Sequence, residues 1–113
     1  CLTDRSKAEL TSLSLDIPAA LDRAGVEVAI CTDHPETPAQ FLPLCAALAV
    51  RGGMTEEAAL GAITLTPARI LGLSDQLGSL TPGKMADIVL TPGHPLDPMT
   101  KPRAVILGGK QVV

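Results

Sequence analysis

The stretch Val26-Glu27-Val28-Ala29-Ile30-Cys31-Thr32-Asp33-His34-Pro35 constrains this chain more than any other. A run that is apolar at five of its first six positions and then ends in an acid, an imidazole and a proline reads as a buried strand. Such a strand delivers polar side chains at its carboxyl end. That edge is where α/β proteins place their chemistry. Asp33 supplies a carboxylate and His34 a second titratable group. Pro35 then ends ladder hydrogen bonding, so the chain has to leave the sheet directly after them.

Helical signals flank this stretch on both sides. Upstream, Asp16 is placed to cap a helix, Pro18 sits in its first turn, and Ile17, Leu21 and Ala24 share one face before Gly25 ends it. Downstream, a turn at Glu36-Thr37-Pro38 leads to a helix with the interior Leu44 to Val50, which stops at Gly52-Gly53; Pro43 either kinks it or marks its first turn. Thr55 caps a third helix with Glu56 and Glu57 in its first turn and Ala59, Leu60 and Ile63 as its apolar stripe. Thr66-Pro67 opens a short fourth helix that runs through Leu71 to Gly72. Residues 1 to 15 show no firm period and read as a loop with one helical turn.

The pattern changes at Ser74. Glycine and proline now punctuate short β-like runs at Ile88-Val89-Leu90, Val105-Ile106-Leu107 and Val112-Val113, and Gly108-Gly109 is a two-residue hairpin signal. The division predicted is a helical part over 1–75 and a strand part over 76–113.

With 113 residues the chain suffices for one small domain, and with Phe41 as its sole aromatic residue any core must be aliphatic. A net charge of −3 without a basic stripe or stacking residues argues against nucleic acid. The longest apolar stretch, Phe41 to Val50, is broken by Pro43 and falls far short of the roughly 20 residues of a membrane span. Cys1, Cys31 and Cys45 match no disulfide framework and no Cys-x-x-Cys pair is present, so a reducing, cytoplasmic setting is expected. No secretory signal opens the sequence, and its start at Cys1 instead of Met suggests a piece of something longer.

Asp33 carries two readings. An Asp followed by turn-forming residues commonly bonds its own loop, and the alternative is a catalytic carboxylate. His34 and His94, the latter in Gly93-His94-Pro95, read by default as solvated loop residues. Two histidines in all exclude a self-contained site with three nitrogen ligands. Strand alternation puts Cys31 on the same face as Asp33, where a neighbouring carboxylate disfavours a thiolate, so Cys31 reads as a small apolar filler. Lys84 in Pro82-Gly83-Lys84 lacks the spacing of a phosphate loop and reads as a turn lysine.

Taken in order, five segments resemble the C-terminal part of the amidohydrolase superfamily: Ala29 to Asp33, Met54 to Leu60, Thr64 to Gly72, Leu77 to Leu80 and Pro82 to Val89. The likeness is to the imidazolonepropionase-like and prolidase-like amidohydrolases. It covers nearly all of residues 16 to 113, and the ordered succession is more specific than any single motif.

The resemblance implies an α/β fold: the last strand and closing helices of a metal-dependent (β/α)8 TIM barrel, plus the C-terminal strands of a small β-sandwich. It implies that Val28 to Thr32 is the eighth barrel strand. It also implies that Asp33 ligates a divalent metal, zinc, and takes the proton from the hydrolytic water. No role is carried over for His34. The family's other ligands, a His-x-His pair, a lysine or acid and two further histidines, have no counterpart here. Met85 stands where an acidic or small residue is usual, with Asp87 retained. A closed barrel of about 250 residues cannot be built from this length, so the barrel is expected to be incomplete and the chain inactive alone.

The functional expectation is a hydrolase of C–N bonds acting on a small amide, dipeptide or cyclic amide, without nucleic-acid or membrane partners. A strand without its barrel neighbours leaves edges and aliphatic surface exposed, so a homo-oligomer is expected. The rival reading is a non-catalytic α/β module that self-associates.

Overall fold

The start and stop signals resolve into four short α-helices. A computed structural model describes residue 8 and residues 12–113, so most of the expected loop and helical turn over 1–15 lies outside the described residues. Helix α1 (Ile17–Arg23) carries Pro18 in its first turn, where a missing N–H costs nothing. Asp16 does not cap it. Its backbone is already helical at φ −82° and ψ −11°, which keeps the carboxylate from the exposed N–H groups that an extended residue reaches. Gly25, at φ 79°, ends the helix as expected: its N–H donates to Asp22 O at 2.9 Å and the Val26 N–H to Leu21 O at 3.0 Å.

A 3₁₀ turn at Ala39–Phe41 leads into α2 (Leu42–Arg51), and Pro43 lies in its first turn, which decides between the two readings of that proline. Gly52 follows α2 and packs against the Leu15 carbonyl so closely that a Cβ has no room, which pins the entry to α1 against the exit from α2. Helix α3 (Glu56–Gly61) has the expected cap, with Thr55 extended and its Oγ1 accepting the Ala58 N–H at 3.1 Å. Helix α4 (Leu65–Ile70) starts earlier than the Thr66-Pro67 signal suggests. Thr64 occupies the cap position, but its hydroxyl donates back to Leu60 O at 2.7 Å instead of capping.

The helices bury mostly small side chains. Ala19, Cys45, Ala46, Ala49, Ala59 and Ala62 form the core with Ile30 and Met54, and Leu96 joins them from the strand-bearing part. Small residues let these short helices approach closely, and the aliphatic core anticipated from composition is met.

The strand part is an antiparallel sheet in the order β1 (Ile88–Leu90), β2 (Ala104–Leu107), β3 (Lys110–Gln111), with Ile88 opposite Ile106 and Ile106 opposite Gln111. Gly108 and Gly109, at φ 54° and 79°, form the two-residue turn as expected. The last strand falls at Lys110–Gln111 and not at Val112-Val113. Val112 and Val113 together oppose Val105: both N–H groups point at its carbonyl, at 2.8 and 3.5 Å, and Val105 N–H donates to Val113 O at 3.1 Å. Two residues against one is a β-bulge, which ends regular pairing there. Asp87 Oδ1 accepts the Gly108 N–H at 2.7 Å and so fastens the hairpin turn to the start of β1. Lys84 donates to the Leu77 carbonyl at 3.3 Å, the behaviour of a turn lysine.

One expectation needs correcting. Val26 to Thr32 is extended, but among the described residues it belongs to no sheet. A strand exists through its ladder, and here the segment meets helices on one side, with Ile30 N–H donating to Ala62 O at 2.9 Å, and no neighbouring strand. The fold is α/β with a small antiparallel sheet, and the described residues form no barrel.

Candidate functional site

Asp33 stands where the extended segment turns away from the helices. Along the segment Ile30 and Thr32 are buried and Val28 half-buried, while Ala29, Cys31 and Asp33 are exposed, so a period of two puts the last three on one open side. This confirms that Cys31 and Asp33 share a face. It also removes Cys31 from the role of core filler, which falls to Cys45 on α2. Burial pushes the Cys45 thiol above its ordinary pKa, as suits an inert packing residue.

At Asp33 the backbone enters the left-handed region, φ 55°, which Asp tolerates better than most residues. The turn then closes at once: Asp33 O accepts the Glu36 N–H at 2.9 Å and Thr32 O the Thr37 N–H at 3.3 Å. These bonds use main-chain groups and leave the Asp33 carboxylate exposed, without a hydrogen bond or ion pair to any described residue. His34 is exposed beside it. The reading in which the Asp33 side chain merely ties its own loop is therefore not what the geometry shows.

The donors needed for a metal do not converge here. Among the described residues no group of three or more His, Cys, Asp or Glu side chains is arranged to hold an ion, and structural or catalytic sites need three or four protein ligands. The residues present do not fit a metal by themselves.

An open cavity of about 660 Å³ lies elsewhere, against Gly25, Val26 and Val28 at the opposite end of the extended segment, and is lined also by Thr55, by Leu60 of α3 and by Arg69 of α4. Asp33 and His34 line neither it nor a smaller one of about 170 Å³ beside α2. His94 is exposed in its turn, as its default reading has it, and it also makes two contacts: Nδ1 accepts the Leu96 N–H at 3.3 Å, and Nε2 lies 3.7 Å from Glu56 Oε2. No local pattern announced this pairing, since Glu56 and His94 are distant in sequence and meet only through the packing of Leu96.

The model of the amidohydrolase family matches residues 1–112. The chain belongs to the amidohydrolase family. An amidohydrolase crystal structure from Thermotoga maritima superimposes with a TM-score of 0.93 over 99% of this chain at 43% identity, and this chain covers 29% of that one. An imidazolonepropionase from Geobacillus kaustophilus is 44% identical over 70 residues, which is 59% of this chain and 16% of the relative. A 5-methylthioadenosine/S-adenosylhomocysteine deaminase from Teredinibacter turnerae is 35% identical over 105 residues, 82% of this chain and 23% of the relative. The chain thus spans less than a third of the length of each of these three relatives, and the resemblance read from its five motifs is met.

Proposed function

We propose that the chain is the C-terminal part of a hydrolase that cleaves a C–N bond in a small amide, dipeptide or cyclic amide, with water as nucleophile and Asp33 as its proton acceptor. The observation that carries this reading is the position of Asp33: an exposed, unpartnered carboxylate at the carboxyl end of an extended segment, in a chain matched by the family model from 1 to 112. Relatives named for imidazolonepropionate chemistry and for a nucleoside deaminase fit a small-molecule substrate.

The family resemblance further implies a divalent metal, zinc, with Asp33 as one ligand. The described residues alone cannot hold it, so on this reading the other ligands come from the rest of the protein. The thiols of Cys31 and Cys45 suit a reducing, cytoplasmic setting, and among the described residues no helix is long and apolar enough to cross a membrane. Residues 1–75 would complete a TIM barrel and 76–113 would supply strands to a β-sandwich.

Expression of this chain beside the same chain extended upstream by its own reading frame tests the proposal. The extended protein is expected to hydrolyse small amides and this chain alone to be inactive, because one carboxylate does not hold an ion against water. Chelator-sensitive amidase activity from the 113 residues alone would overturn the division of labour.

A non-catalytic, self-associating module has one observation in its favour. Val26 is 49% exposed, and Ile17 and Leu21 on α1 are similarly open, next to a segment with no ladder partner. The chain alone is therefore expected to be a dimer or larger at micromolar concentration, by light scattering. A cooperatively folded monomer would count against this.

A further inference from the structure

The strand-bearing part is joined to the helices at two places. The first is covalent and close: after α4 the chain runs through Leu77 and Gly78, and Gly78 lies tight against Leu65 and Ala68. The second is the turn between β1 and β2. There Leu96, 5% exposed, is the one described residue beyond Ser74 that enters the buried core, in a recess shared with Ala47 and Val50 of α2.

The turn is shaped before it docks. His94 O accepts the Asp97 N–H at 3.0 Å, His94 Nδ1 accepts the Leu96 N–H, and Asp97 Oδ1 accepts the Met99 N–H at 2.9 Å. Asp97 O also takes the Thr100 N–H at 2.9 Å. All these bonds lie within residues 94–100 and survive if the turn lifts away. The groups that reach across to the helices are the Leu96 side chain and His94 Nε2, the latter facing Glu56 at the start of α3. A preformed loop with one apolar knob and one polar contact has the construction of a clasp.

We propose that His94-Pro95-Leu96 is a clasp whose release frees residues 86–113 as one unit, while α1 to α4 stay folded. The helical core needs little from the clasp: Ala19, Cys45, Ala46, Ala49, Met54, Ala59 and Ala62 come from the helices and their links. The strand part has little else to hold it: among the described residues no strand has more than a weak contact with a helix. Three strands of three, four and two residues are marginal by themselves, so once Leu96 lifts their hydrogen bonds open together.

Cys45 serves as an internal control, because it is fully buried on α2 and reacts only when the helical core itself opens. In the 113-residue chain with Cys1 and Cys31 replaced by serine, amide exchange of Ile88–Leu90 and Ala104–Leu107 is measured beside alkylation of Cys45. Leu96→Ala is expected to speed strand exchange at least about tenfold and Cys45 alkylation less than about threefold. His94→Ala should shift exchange in the same direction by a smaller factor. His94→Asn, whose amide oxygen can still accept the Leu96 N–H but which loses the contact with Glu56, should fall between the parent and His94→Ala. Equal acceleration of strand exchange and Cys45 alkylation, or strand exchange unchanged by Leu96→Ala, would overturn the clasp.

Discussion

Replacing Asp33 with Asn in the upstream-extended protein is expected to lower turnover at least about 10³-fold, with a smaller effect on substrate binding. The substitution keeps the size of the side chain and one oxygen but removes the group able to take a proton from attacking water. General-base assistance is worth roughly 10²–10⁴-fold, and loss of the nucleophile's orientation adds to it. Geometry makes the test clean. The turn after Asp33 is closed by main-chain bonds, the Asp33 carbonyl to Glu36 and the Thr32 carbonyl to Thr37, so the exchanged side chain holds nothing in place. Thermal unfolding of the Asn variant should accordingly match the parent. His34→Asn, next to it but without an assigned role, should cost less than about tenfold. If Asp33→Asn turns over within tenfold of the parent while binding substrate normally, Asp33 is a turn residue and the proposed chemistry falls.

What could be read from the sequence was what local chemistry decides. Thr55 with two following glutamates, Pro18 in a first turn, and Gly25 and Gly108-Gly109 at positive φ each act within a few residues, and each appears where its pattern places it; Pro43, for which the pattern left a kink or a first turn open, takes the first turn. Failures occur where a distant partner decides. Val26 to Thr32 has the composition of a buried strand, yet a ladder needs a neighbour that these residues do not supply. Asp16 is a good cap residue whose backbone has already been drawn into the helix. Val112-Val113 reads as a β-like run, but regular pairing ends at Gln111 because both residues bulge against Val105. The candidate site follows the same division. Asp33 was legible because it ends an apolar run, whereas any companion that makes it reactive lies at a separation that local pattern does not reach.

Gly78 carries a large expected effect on stability. In the sequence it is one member of the motif Leu77-Gly78-Ser79-Leu80, and the structure supplies its reason. A Cβ at this position would lie 2.8 Å from the Ala68 Cβ and 2.9 Å from both the Leu65 Cα and the Thr64 carbonyl oxygen, closer than real Cβ contacts come. None of those atoms is the end of a flexible side chain, so α4 or the linker itself must move. The residue also sits at φ 86°, where a side chain costs roughly 1–2 kcal/mol by itself. Overpacking adds about 1–3 kcal/mol, so Gly78→Ala is expected to destabilise the chain by about 3 kcal/mol, a large share of the 5–15 kcal/mol usual for a domain. Gly83 provides the comparison, with φ 96° and open space around its would-be Cβ. Gly83→Ala therefore bears the backbone cost alone, about 1–2 kcal/mol. The difference between the two midpoints in urea isolates the close approach of the linker to α4. Should Gly78→Ala lose no more stability than Gly83→Ala, the linker is not packed on α4 in solution, and the strand-bearing part loses its first point of attachment.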